Sequence, residues 1–424
     1  MASLELPYGQ DRLPVAIPDR WLGEILSPQP VEPPPDPLAL VTAALDRPIG
    51  APPLKKLAQP GQQVALIIDD YTRKTPIHLL LPPVLAQLSL AGVAPADIRI
   101  VVAPGTHRPM SQAEIIAKIG TELAARYEVV NIPSTAENEM VYLGRSANGI
   151  PAWVNRAVVE ADLRVGLGMI TPHLEAGFSG GAKIILPGVC SEATVDAFHA
   201  ASAFIPDNQL GLIDAPLRRH LERFVAEHVP LQFIVNVITT LTGEIYRCVA
   251  GHFIDAHRAG VSYARQVFGT PAKRRYPIVI ANCSPYDIDL WQSIKGVFAG
   301  DLVTADGGTL IMVTAAPEGN SNYPLVPGYC GRNPAELQQE MLTRGIADAK
   351  QAATGVMVGR LKQRIKLALV STGLTSTDAT AMGLAYYDSV ETAVAATVNR
   401  LPPADRPGAV AVLPQAGLLL PLLP

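Results

Sequence analysis

Residues 163–199 read LRVGLGMITPHLEAGFSGGAKIILPGVCSEATVDAFH, and the interpretation of the whole chain turns on them. The first seven, Leu163–Met169, are apolar or small except for Arg164. That is the pattern of a strand buried on both faces. From Thr171 the regular pattern stops, and chemistry-bearing residues crowd in: His173, Gly177, Ser179, Gly180, Gly181, Lys183 and His199. A glycine-rich loop lets backbone N–H groups approach an anion closely, because no Cβ intervenes. A lysine beside it offers a positive charge or, if desolvated, a nucleophilic amine. Imidazoles exchange protons near neutral pH or bind metals. The loop is not a Walker A motif, because Ala182 and Ile184 flank the lysine where that motif needs Gly and Ser/Thr.

Upstream, the same arrangement recurs twice. VALIID (64–69) is a strand-like run that ends in DDYTRKTP (69–76), and a helix is expected to start there with Thr75 as N-cap and Pro76 at N1. IRIVVA (98–103) runs into GTHRPM (105–110), with a helix capped by Ser111. Strands that each end in a polar loop and lead into helical pattern describe an open parallel α/β sheet, whose ligands bind outside the carboxyl ends of the strands. Asp70, Arg73, His107, His173 and Lys183 are thereby expected at one edge. LEL (4–6) and LPVAI (13–17) read as a hairpin, and SPQPVEPPPDP (27–37) as a stiff connector.

Downstream, QFIVNVITT (232–240) and EIYRCVAG (244–251) read as a second hairpin. Composition shifts at TPAKRRYP (270–277), and the α/β pattern restarts with IVIAN (278–282), GTLIMVTA (308–315), IKLALVS (365–371) and AVAVLP (409–414). The expected fold is two doubly wound α/β domains, 1–270 and 271–424, with the active site in the cleft between them. The final GLLLPLLP is expected to dock on a core.

Composition narrows the function class. Hydrophobic residues are 48% and charged residues 17% of 424, which excludes a disordered chain. A net charge of −4 argues against a nucleic-acid partner. No apolar run reaches the ~18 residues of a membrane span, and MASLELPYGQ has no signal-peptide pattern, so a cytoplasmic protein is expected. Cys190, Cys248, Cys283 and Cys330 form no CxxC pair, leaving no Cys-based zinc site and no disulfide framework. Gln292 and Lys295, three apart, share one face if their segment is helical. Two imidazoles, one or two cations and a lysine beside a glycine loop suit proton removal from a small acid anion. They equally suit a phosphate-binding regulatory site, and spacing alone does not choose.

DDYTRKTP, GTHRPM, PHLEAGFSGGAKIILPGV with the following His199, and WQSIKG (291–296) occur in that order. Together they resemble the nickel-pincer-dependent lactate racemase family, over most of the chain. The resemblance implies a 2-hydroxy acid racemase or epimerase that works by reversible hydride transfer from C2. Its cofactor is a nickel-pincer nucleotide, a modified nicotinic acid mononucleotide tethered covalently to Lys183, with His199 as the protein's nickel ligand. Asp70, Thr72, Gly177, Ser179, Gly180 and Gly181 complete the implied cofactor-binding set. His107 and His173 become the acid/base pair, one for each face of the substrate carbon. Arg73 holds the substrate carboxylate. Gln292 and Lys295 bind substrate or stabilise alkoxide charge, and Asp70 orients a histidine or Arg73. Leu174 and Glu175 depart from some relatives and are expected to shape the substrate pocket. The implied partners are a small 2-hydroxy acid and the proteins that make the cofactor. Two other readings stay open: a non-racemising hydride exchange between hydroxy and oxo acids, and a small-anion binding or sensing protein of the same fold. The sequence sets neither the oligomeric state nor the substrate.

Overall fold

The computed structural model describes residues 1–343, 345–346 and 348–424. The chain opens with the expected hairpin, β1 (Ala2–Tyr8) against β2 (Asp11–Ile17), followed by a short strand, β3 (Leu22–Ile25). The first large sheet is then built from β4 (Val64–Asp69), β5 (Ile98–Ala103), β6 (Glu128–Val130), β7 (Leu163–Met169), β8 (Phe233–Thr239) and β9 (Ile245–Gly251). Their order is β9-β8-β7-β4-β5-β6, parallel except for the β8–β9 hairpin at one edge. Chain order therefore reverses between β4 and β7, the place where doubly wound sheets open a crevice. Asp69 lies opposite Ala103 and Ile68 opposite Leu167. This register brings the loops after β4, β5 and β7 to one level. β4 is buried along its whole length, as its unbroken apolar run requires.

The second sheet holds β10 (Tyr276–Asn282), β11 (Thr304–Thr314), β12 (Lys366–Ser371), β13 (Ala385–Tyr386) and β14 (Val410–Leu413). It is wholly parallel, in the order β13-β12-β11-β10-β14-β3. β3 thus belongs to this sheet, and Leu6, Val15 and Ile17 of the hairpin pack with Ile278, Ile280 and Ile311 on one of its faces. Residues 1–26 consequently pack with the second domain, a correction to the 1–270 division. The reason is edge pairing: LGEI is too short to carry a pattern of its own, yet it satisfies the open edge of β14. The C-terminal tail docks as expected, Leu420–Leu422 pairing with Gly269–Pro271 at the domain junction. One continuous apolar cluster, including Ile67 and Val101 of the first sheet and Val279 and Leu310 of the second, joins the two domains.

Three helices border the cleft. α1 (Glu192–Ser202) is capped by Ser191 and buries Val195 and Phe198. α2 (Leu290–Val303) is capped by Asp289, whose side chain accepts from Gln292 N. α3 (Ala349–Arg364) runs from the second domain against α1. Ser111 caps its helix through a reciprocal pair with Glu114. Thr75 does not cap: its hydroxyl donates to the buried Asp69 carboxylate, and the helix begins one residue later than expected, at Ile77.

Candidate active site

The loop after β4 is pinned from below by Lys118. Its Nζ lies 2.7 Å from Asp69 Oδ1, 2.9 Å from Asp70 O and 2.7 Å from Arg73 O. Asp70 accepts from Thr72 Oγ1 at 2.6 Å and meets His107 Nδ1 at 2.7 Å. Burial alone would raise its pKa, but His107, Thr72 and Arg73 outweigh that and hold it below the usual carboxylate range. An ionised carboxylate only accepts. His107 therefore carries a hydrogen on Nδ1, and in its neutral form Nε2 is bare. Arg73 Nη1 donates to Thr72 Oγ1 at 2.9 Å.

The loop after β7 is held by residues distant in sequence. Arg218, with no exposed surface, donates to the carbonyls of Ala176, Phe178 and Gly180. Asn236 Oδ1 accepts from Gly181 N at 2.8 Å, and His257 Nε2 donates to Ser179 O at 2.9 Å. A Cβ at Gly177 (φ +72°) would lie 1.8 Å from Leu212 O, so only glycine fits there. Within this frame His173 Nδ1 accepts from the backbone N–H of Glu175 at 3.2 Å and Ala176 at 3.3 Å. The ring's hydrogen is then on Nε2, which faces Lys183 Nζ at 2.9 Å. A hydrogen on Nε2 needs a lone pair on the amine. Burial pulls Lys183 down to about 7, with Arg218 and Arg73 adding to the effect and Glu175 opposing it. Burial, then Lys183, Lys295 and Arg73, hold His173 well below an ordinary histidine. On α1, His199 Nδ1 lies 2.9 and 3.1 Å from the two oxygens of the buried Glu175 carboxylate.

The second domain closes the site with α2. Gln292 Oε1 accepts from Lys295 Nζ at 2.6 Å, and that ammonium lies 3.9 Å from the Tyr286 ring centroid. Burial, then Arg73 and Lys183 across the cleft, push the Lys295 pKa well below that of free lysine. The cavity so enclosed is about 190 Å³. Asp70, Arg73, His107, His173, Ser179, Gly180, Lys183, His199, Gln292 and Lys295 all lie on its wall. Arg73, Lys183 and Lys295 around one cavity, with both lysines pushed down by burial and by neighbouring cations, make a site that favours an entering anion. Two imidazoles with different hydrogen placement stand beside it.

Three expected cofactor contacts are not on this wall. Gly177 and Gly181 serve backbone packing, against Leu212 and His257, in place of the expected anion contact. Thr72 sets Asp70 and Arg73 from behind. Leu174 and Glu175, expected to shape the substrate pocket, both lie on the wall, and Glu175 also turns its carboxylate to His199. Lys118, Arg218 and Asn236 were not legible as site residues, because nothing local marks a helix lysine, a helix arginine or a strand asparagine as a loop anchor. His257 has no motif around it, and its burial is what makes it useful.

A family model described as the lactate racemase N-terminal domain matches residues 8–211. The chain is 31% identical over 352 residues to the lactate racemase of Thermoanaerobacterium thermosaccharolyticum, covering 81% of this chain and 82% of that one. It is 32% identical over 329 residues to the lactate racemase of Lactiplantibacillus plantarum, covering 76% of each. Its fold matches the lactate racemase apoprotein of T. thermosaccharolyticum with a TM-score of 0.85 at 27% identity, over 99% of this chain and all of that one. A Thermotoga maritima protein shares the fold at a TM-score of 0.68 and 20% identity, over 93% of this chain and all of that one. The two-domain α/β fold is shared with a lactate racemase, and the relatives place the chain among isomerases of the racemase type. The chain belongs to the lactate racemase family.

Proposed function

We propose that this protein interconverts the enantiomers of a lactate-like 2-hydroxy acid, with a nickel-pincer nucleotide tethered to Lys183. The observation that carries the reading is the cavity wall itself. His107 and His199 each have Nδ1 tied to a carboxylate and Nε2 left for chemistry, and His173 has Nδ1 tied to backbone amides and Nε2 on Lys183, around a cluster of Arg73, Lys183 and Lys295. The donor set fits the cofactor. Among the described residues, no group of three or more His, Cys, Asp or Glu is placed to hold a metal. A pincer would supply the further ligands of a metal held at His199. A neutral imidazole nitrogen suits square-planar nickel, and a Lys183 amine with a pKa of about 7 suits a covalent tether.

The bound cofactor supplies a hydride acceptor that can return the hydride to either face of C2. The chain's own residues do the rest. Arg73 holds the substrate carboxylate with parallel N–H donors. His107 takes the hydroxyl proton of one enantiomer through its bare Nε2, while Asp70 stabilises the imidazolium. On the other face His173 Nε2–H hydrogen-bonds the oxygen of the oxo acid, and the proton that completes the mirror hydroxyl comes from the imidazolium form of His173, which takes up one proton for each that His107 releases. For the mirror substrate it becomes the base, which requires the other tautomer and release of Nδ1 from the two amides. Lys295 and Gln292 stabilise developing alkoxide charge, and closure of the cleft over the substrate would keep water from the oxo acid. The implied setting is a cytoplasmic enzyme that receives its cofactor from the proteins that make it. No helix among the described residues is long and apolar enough to cross a membrane.

The test is a chiral assay on single enantiomers of lactate, using protein produced alongside cofactor-making enzymes, with intact mass measured on the same sample. The expected result is an adduct on Lys183 and racemisation, both abolished by Lys183→Ala. Racemisation by the Lys183→Ala protein would overturn the tether.

A further inference from the structure

We propose that Glu175 is the positioning residue that prepares His199 to bind nickel, by keeping the ring's hydrogen on Nδ1. The proposal rests on the nickel reading given above and adds a residue to it. Glu175 sits in the turn between two short paired segments, Pro172–His173 and Gly177–Phe178, and is buried. Both of its oxygens lie within hydrogen-bond distance of His199 Nδ1, at 2.9 and 3.1 Å. A carboxylate can only accept, so Nδ1 carries a hydrogen and, in the neutral ring, the lone pair is on Nε2. A neutral imidazole binds a metal only through its bare nitrogen. Without the carboxylate the ring is free to carry its hydrogen on Nε2, where it blocks coordination. The carboxylate also makes the imidazole a stronger donor and fixes its rotation, as carboxylates behind metal-bound histidines do elsewhere.

Glu175 acts on a second ring as well. Its backbone N–H donates to His173 Nδ1 at 3.2 Å. Glu175 thus takes part in setting opposite tautomers on two rings of the same cavity: through its side chain hydrogen on Nδ1 of His199, and through its backbone, together with Ala176 N–H, hydrogen on Nε2 of His173. The side chain governs only the first, so substitutions of it separate the two effects.

Two measurements test this. The first needs no cofactor. In the isolated chain labelled with ¹⁵N-histidine, the ring nitrogen shifts of His199 should report hydrogen on Nδ1, and Glu175→Ala should move the ring toward the other tautomer. Hydrogen on Nε2 in the wild-type chain would sink the proposal. The second follows nickel loss from the cofactor-loaded protein to excess EDTA, with the Lys183 adduct read by mass. Glu175→Ala should keep the adduct and lose nickel about 10- to 100-fold faster. Glu175→Gln, whose amide oxygen can still accept, should fall between, and it serves alone if the alanine variant does not fold. Wild-type nickel retention in both variants, with His199→Ala losing nickel, overturns the role of Glu175 and leaves the nickel reading standing. Full retention in His199→Ala, or no adduct on wild-type Lys183, overturns both together.

Discussion

The carboxyl edges of the two sheets offer the same kind of crevice and use it in opposite ways. In the first domain the loops after β4, β5 and β7 turn His107, His173 and Lys183 toward open space. In the second the corresponding edge is filled by the chain itself. The tip of the β1–β2 hairpin enters it: Tyr8 donates to Thr314 O at 3.0 Å and accepts from Thr372 N at 2.8 Å, and Gly9 N donates to Asp287 at 2.7 Å. Asn282 Nδ2 donates to Pro7 O and Pro414 O, both at 2.7 Å. A parallel sheet leaves polar backbone and loop groups at its carboxyl edge, and something must satisfy them. In one domain the hairpin does; in the other that place is kept for ligands, and the second domain contributes α2 as a wall. The difference teaches that architecture alone does not make an active site. What matters is whether the crevice is plugged.

Four experiments sharpen the contrast, from the largest effect to the smallest. His107→Ala on the open edge should cut racemisation by about 100- to 10,000-fold while costing only about 1–3 kcal/mol in urea unfolding, because the buried Asp70 carboxylate loses one of its partners. A collapse of stability instead would mean that the open edge is structural too. Arg218→Met should cost stability, roughly 3 kcal/mol in urea unfolding. Three carbonyls of the β7 loop, two of them fully buried, lose their donor, and each orphaned buried group costs about 1–3 kcal/mol before relaxation. Unfolding at the wild-type midpoint would show that water replaces the guanidinium.

The third experiment is a pH series. Burial first, then Arg218, holds His257 well below 6.5, although its bond to Ser179 O opposes them. The unfolded chain takes up this proton near 6.5 and the folded chain does not. The contribution is therefore complete above about 6.5 and is lost as pH falls below it, by up to about 1.4 kcal/mol per pH unit. His257→Gln should flatten the unfolding free energy between pH 6.5 and 5; an unaltered slope would place the proton uptake elsewhere. Last, Tyr8→Phe on the plugged edge should cost about 1 kcal/mol and leave racemisation untouched. A loss of activity there would mean that the plug shapes the open site through α2.

Much of this was legible in the chain, for a local reason in each case. Buried strands write themselves as unbroken apolar runs, so VALIID, IRIVVA and LRVGLGM emerged within a residue or so of their observed bounds. Loops that follow such strands share an edge by the geometry of the parallel sheet, which is why Arg73, His107, His173 and Lys183 meet on one cavity wall. Thr75 misled because a good capping residue was needed more by the buried Asp69 than by its helix. The glycines misled because close backbone approach to another loop demands the same residue type as close approach to an anion. Gly177 serves the first.

The sequence by itself determined the strands, the polar loops at their ends and the residue types that stand ready for chemistry, because these depend on neighbours along the chain. Only the tertiary structure decided which of them are usable. It placed β3 on the far sheet, set Lys118 and Arg218 beneath the two loops, and gave His107 and His199 hydrogen on Nδ1 but His173 hydrogen on Nε2. A ring's hydrogen is placed by whichever group packs against it. For His107 that group is a carboxylate 37 positions away, and for His199 one 24 positions away. No local pattern carries that information.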